Sequence, residues 1–159
     1  SRPPRASLVN EAASSAADGR RLPAIGKILL AALSDEQLDA YLARRPLVAL
    51  TPKTITDPEL LKREIAAIRK SGIAYDDGEY NAEARCVAVP VKDFTGEVRV
   101  AIGISGAVWR LSLQALEEKS RLVCQAAERM SAKFGFAGFA PKERAPTSKR
   151  RGEANGRVR

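Results

Sequence analysis

The chain reads as an α/β domain of the α+β kind, a small antiparallel sheet flanked by helices. Three observations predict it. Two alternating runs, 86–91 and 98–104, flank the turn chemistry Asp93-Phe94-Thr95-Gly96. Apolar residues recur at helical spacing before and after those runs, with capping residues at the expected ends. A length of 159 residues with 45% apolar content suits one domain with a real core, and no internal repeat is visible.

The elements follow in order. Residues 1–21 are rich in Ala, Ser and Arg with little periodicity and read as a leader or linker. Structure is expected from Leu22, and the domain proper spans 22–138. Ile25, Ile28, Leu29, Ala32 and Leu33 predict a first amphipathic helix. Ser34 stands three residues before Gln37, a capping box that opens a short helix burying Leu38, Tyr41 and Leu42, and Pro46 forbids its continuation. Residues 47–55 read as a loop. Thr56-Asp57-Pro58-Glu59 is a helix start, with a cap, a proline in the first turn and an acid at the positive end. Leu61, Ile65 and Ile68 form its buried stripe, and Gly72 closes it as a left-handed cap. Ser112 caps a last long helix whose stripe is Leu113, Leu116, Ser120, Val123, Ala127, Met130 and Phe134, with Gly135 as the stop. That stripe packs on the domain's own sheet, on a partner helix, or on both. Trp109 reads as a core edge or a subunit contact.

Between these helices, Asp76, Asp77 and Glu79 form an acidic turn that leads into the hairpin. Pairing Asp93 with Gly96 sets Val91 opposite Val98, Val89 opposite Val100 and Val87 opposite Ile102, one β-branched face. The other face holds small residues: Cys86 opposite Gly103, Ala88 opposite Ala101, and Ser105 just beyond. Such a face either lies under a closely packed helix or floors a cavity.

Composition excludes several chemistries. With no histidine in the chain there is no Ser-His or Cys-His pair, no His-ligated zinc and no HExxH helix. Cys86 and Cys124 form neither a CxxC pair nor a disulfide framework, which fits a reducing cytoplasm. No segment is apolar enough to span a membrane, and no membrane partner or cofactor is expected. A nucleophilic Cys86 would need a base or a positive field, and the acids upstream oppose the thiolate. Asp76, Asp77 and Glu79 do not make an EF-hand loop, so no metal is expected. A small cytoplasmic enzyme using the acidic turn and Cys86 is the rival reading. The net charge of +8 is concentrated at residues 142–159, which carry seven basic and two acidic residues. Residues 139–159 therefore read as a basic disordered tail, or as sequence-blind phosphate contacts.

Gly72-x3-Asp76-x2-Glu79-x6-Cys86-Val87-Ala88-x2-Val91-x-Asp93 resembles the signature of the IclR family of bacterial transcription regulators, with Lys92 where an aromatic or histidine is usual. AIGKILLAALSDEQLDAYL, LTPKTITDPELLKREIAAIRKSGIAYDDGEY and VAIGISGAVWRLS resemble family stretches on either side, so the likeness covers roughly 22–135. The resemblance implies a C-terminal effector-binding domain, similar to GAF and profilin-like folds, of a regulator that binds DNA through a helix-turn-helix absent from this chain. Residues 1–21 would then be an incomplete start of that domain. It also implies a homodimer or tetramer and a small organic acid as effector. Carried over position by position, the pocket would use Ala24, Ile25 and Gly26 at the helix start, Asp76, Cys86 and Ser105. Ala88 and Gly103 share its floor, and Gly103 replaces a pocket serine of some members, which is expected to enlarge the cavity. Backbone N–H groups at the helix start could receive a carboxylate.

Overall fold

The computed structural model describes residues 24–138, so the expectations for 1–21 and 139–159 lie outside the described residues. Helix α1 (Ala24–Ala31), helix α2 (Asp35–Arg44) and helix α3 (Pro58–Ser71) come first. Strands β1 (Ala74–Asp77), β2 (Ala84–Lys92) and β3 (Val98–Ala107) follow, and helix α4 (Leu113–Lys133) ends the series. The described strands form an antiparallel sheet in the order β1-β2-β3. This is an α+β architecture, as predicted.

The capping chemistry explains the helix boundaries. Gln37 N–H donates to Ser34 Oγ at 3.2 Å, and Ser34 N–H donates to Gln37 Oε1 at 3.0 Å, closing the predicted box. Asp57 accepts the Glu59 N–H at 2.8 Å ahead of Pro58. Gly72 ends α3 at φ 72°, a conformation that costs a side-chain-bearing residue about 1–2 kcal/mol. Ser112 accepts the Ala115 N–H at the start of α4.

The two sheet faces carry different cores. Val87, Val89 and Val91 join Leu111, Leu116, Val123 and Ala127 under α4, with Ile102 and Ile104 packed alongside. On the opposite face Ala74 and Ala88 join Ala24, Ile28, Leu30, Leu61, Ile65 and Ile68 from α1 and α3. Each fully buried aliphatic side chain contributes roughly 1.5–3 kcal/mol of transfer free energy. Small residues on this second face let α1 approach closely.

Several expectations are corrected. The hairpin register moves by two positions. Asp93 N–H donates to the Glu97 carbonyl at 3.0 Å, and Gly96 takes φ 80°, so the loop has three residues rather than two. A bulge between the Val91 and Lys92 pairs adds a second step. Val91 therefore faces Val100, Val89 faces Ile102, Val87 faces Ile104, Ala88 faces Gly103 and Cys86 faces Ser105. Two single steps preserve parity from Val100 onward, so those side chains keep their predicted faces, whereas Val98, between loop and bulge, turns away from the Val91 face and packs on the cluster of Ala74 and Ala88.

Asp76 and Asp77 are not in a turn. They end strand β1, which pairs Asp76 with Cys86 and Asp77 with Arg85, and the turn lies at 78–83. Along α4 the buried residues are Leu116, Ser120, Val123, Ala127 and Ser131, while Leu113, Met130 and Phe134 are exposed. Ser131 takes the last buried position because its Oγ accepts the Lys92 N–H at 2.9 Å. Trp109 is 72% exposed and belongs to neither apolar cluster of the described residues. Ile25 leaves the stripe of α1, and Lys27 is buried in its place.

Candidate functional site

A cavity of about 120 Å³ lies where the first residues of α1 meet the small-residue face. Ala24, Ile25, Cys86, Gly103 and Ser105 line it, together with Val87 and Ile104. The last two were not expected. Their side chains belong to the apolar cluster on the other face, so they contribute main chain here. The other three expected residues lie elsewhere. Ala88 is fully buried in the core of α1 and α3, and Gly26 and Asp76 are not among the lining residues.

Cys86 and Ser105 are cross-strand partners, and Cys86 Sγ donates to Ser105 Oγ at 3.2 Å. Burial pushes the Cys86 thiol up, only partly offset by that hydrogen bond, and the nearby Asp76 charge pushes it further up. The group is held as a neutral thiol, which suits contact with a ligand and not nucleophilic attack. Gly103 is required by close approach. A Cβ there would lie 2.3 Å from the Val87 carbonyl oxygen. The space a side chain needs is thus occupied by the neighbouring strand, and the glycine does not enlarge the cavity as expected. At the rim, α1 has no acidic residue in its first turn to compete for an anion at its positive end.

Asp76 is buried behind this wall. Its Oδ1 accepts the N–H of Glu79 at 2.8 Å and of Tyr80 at 3.4 Å, which folds the turn after β1. The turn is pinned from outside as well. Thr51 Oγ1 donates to the Gly78 carbonyl and Thr54 Oγ1 to the Glu79 carbonyl, each at 2.6 Å. Asp77 bonds Arg85 at 2.5 Å and Lys53 at 2.9 Å, and these two hydrogen bonds, Arg85 first, hold its carboxyl below the usual range. No three His, Cys, Asp or Glu side chains gather as a metal site among the described residues. No described helix is long and apolar enough to cross a membrane.

Lys27 is the residue that sequence reasoning missed. It is fully buried, and its Nζ donates to Glu79 Oε1 at 2.8 Å and Glu64 Oε1 at 3.2 Å. Burial pushes the Glu79 carboxyl up, and Lys27 pulls against that. The available signal was a lysine in the Gly-Lys step one position before Ile28 on an otherwise apolar helix.

With this geometry in view, the likeness to known proteins is specific. The family described as bacterial transcriptional regulator IclR C-terminal matches residues 8–132. The chain is 39% identical over 115 residues to the Pca regulon regulatory protein of Pseudomonas putida, covering 70% of this chain and 40% of that protein. It is similar to the crystal structure of Thermotoga maritima IclR, with TM-score 0.66 and 38% identity over 72% of this chain and 46% of that one. A double mutant of the PobR inducer-binding domain from Acinetobacter, in complex with 3-hydroxybenzoic acid, matches with TM-score 0.66 and 27% identity over 68% of this chain and 62% of that one. The chain spans less than half the length of the curated relatives it matches. It belongs to the IclR family of bacterial transcriptional regulators and corresponds to their C-terminal domain.

Proposed function

We propose that this domain is the effector-binding and oligomerisation module of a cytoplasmic DNA-binding regulator, and that its effector is a small organic acid. One observation supports the reading above others. The cavity joins the start of α1 at Ala24 and Ile25, whose described first turn holds no acid, to a thiol–hydroxyl pair, Cys86 and Ser105. A carboxylate placed against the N–H groups of Ala24, Ile25 and Gly26 meets positive partial charge. The Ser105 hydroxyl then orients the rest of the ligand. At about 120 Å³ the cavity is well below the roughly 300 Å³ lower bound of drug-sized pockets, so an acid of few heavy atoms is favoured. The aromatic acid bound by the PobR domain is of the same chemical class.

DNA contact would fall to a helix-turn-helix outside the residues matched to the family. Signalling would be a population shift, in which the acid binds one subunit arrangement better than another. The enzyme reading has less support. The Cys86 thiol is pushed up, the chain has no histidine, and the named relatives are regulators.

Thermal-shift titration with a panel of short 2-oxo, 2-hydroxy and aromatic carboxylates tests the proposal. At least one acid should raise the melting temperature. Ser105→Ala should weaken that acid about tenfold, the worth of one hydrogen bond to a charged ligand. Ser120→Ala, on the far side of the sheet, should leave it unchanged. Equal stabilisation of wild type and Ser105→Ala by every acid would remove the pocket assignment.

A further inference from the structure

Lys27 has a setting that core packing alone does not require. It is 0% exposed, yet an apolar residue of similar volume would fill the same position on α1 without the desolvation cost of an ammonium group. What the charge adds is direction. Nζ reaches Glu79 in the turn after β1 and Glu64 on α3, residues 52 and 37 positions away. These partners are anchored in turn. The Glu79 N–H is held by Asp76, and its carbonyl accepts from Thr54.

The contacts lead from α1 to the wall of the cavity. Ala24 lies one helical turn before Lys27 on the same side of α1 and lines the cavity. From Lys27 the series runs through Glu79 to Asp76, then by the register of β1 and β2 to Cys86, and from Cys86 Sγ to Ser105 Oγ. We infer that Lys27 is a positioning residue that sets the gap between the start of α1 and the sheet, and with it the width and access of the cavity, by clamping α1 to the β1–β2 turn and to α3. This deepens the sensor reading and rests on it for the consequence that Lys27 tunes which acids fit. The clamp itself needs no ligand.

The two cysteines give a test within one molecule. Cys86 lines the cavity, and Cys124 is half-buried on α4 across the sheet. Alkylation of the full chain by iodoacetamide, followed by peptide mass spectrometry, yields the rate ratio of Cys86 to Cys124. Lys27→Met should raise that ratio at least fivefold. Charge alone would act oppositely, because loss of a cation disfavours the thiolate and slows alkylation. Glu79→Asp, which keeps the charge but is one methylene too short to reach Lys27 as Glu79 does, should raise the ratio in the same direction by a smaller factor, and serves if Lys27→Met does not fold. Lys27→Arg, which keeps both carboxylate partners, should return it to near the wild-type value. A lowered melting temperature with an unchanged ratio in Lys27→Met and Glu79→Asp would overturn the inference, as would a Lys27→Arg ratio equal to that of Lys27→Met. If the ratio shifts as stated while no acid in the panel binds wild type, the clamp stands and the sensor reading fails.

Discussion

Asp93 shows how much one side chain can hold. Its Oδ1 accepts the Thr95 hydroxyl at 2.5 Å and the Thr95 N–H at 2.8 Å, and Oδ2 pairs with Arg99. The Thr95 hydroxyl first, then Arg99, pull its carboxyl from the ordinary value of about 3.9 down to about 2. A carboxyl depressed in the folded state stabilises the fold above its unfolded value and loses that contribution as pH falls through the folded value. The wild-type melting temperature should therefore fall more steeply than that of Asp93→Asn between pH 4 and pH 2. Parallel curves would show that the ionised carboxylate does not favour the hairpin. Residues of this kind were partly legible. Asp93 was recognisable as turn chemistry, and Cys86 and Ser105 as one small-residue face, because alternation along a strand is local. Lys27 was not legible, because lysine is rarely buried and its partners lie far off in sequence.

Among the elements, those with strong local signals were found where expected. Helix α2 depends most on such a signal, since it has a single buried residue, Leu38, and a complete capping box. Ser34→Ala should cost about 1 kcal/mol, seen as a drop of roughly 4 °C in melting temperature. Ser34→Asp, an equivalent cap, should keep most of the wild-type stability. An unchanged melt in Ser34→Ala would mean that packing alone specifies α2. Strand β1 was missed for a physical reason. It has four residues, two of them aspartates with poor strand propensity, and it exists because it pairs with β2. The hairpin register was missed because Gly96 invites a three-residue loop and the bulge depends on cross-strand geometry. The ends of the α4 stripe were misplaced because the sheet, and not the helix period, chose Ser131 over Met130.

At the scale of the whole molecule, β2 carries both cores. Ala88 points to one cluster, and Val87, Val89 and Val91 point to the other. The two faces should therefore unfold together. Ile65→Ala and Leu116→Ala, on opposite sides of the sheet, should each destabilise one shared transition by about 2–5 kcal/mol. Circular dichroism and amide exchange would then report the same midpoint. Two separated steps would show that the faces are independent units.

The sequence by itself determined the helices, their caps, the hairpin and the two-faced character of the sheet, because each rests on periodicity or chemistry within a few residues. The family likeness was legible for the same reason, in a short run of spaced residues from Gly72 to Asp93. Only the tertiary structure decided the register, the existence of β1, and which part of the small-residue face stays open. Helix α1 has eight residues and covers Ala88 completely, while Cys86 and Ser105 line the cavity at its start. That division, like the burial of Lys27, depends on contacts between segments tens of residues apart, which no local pattern encodes.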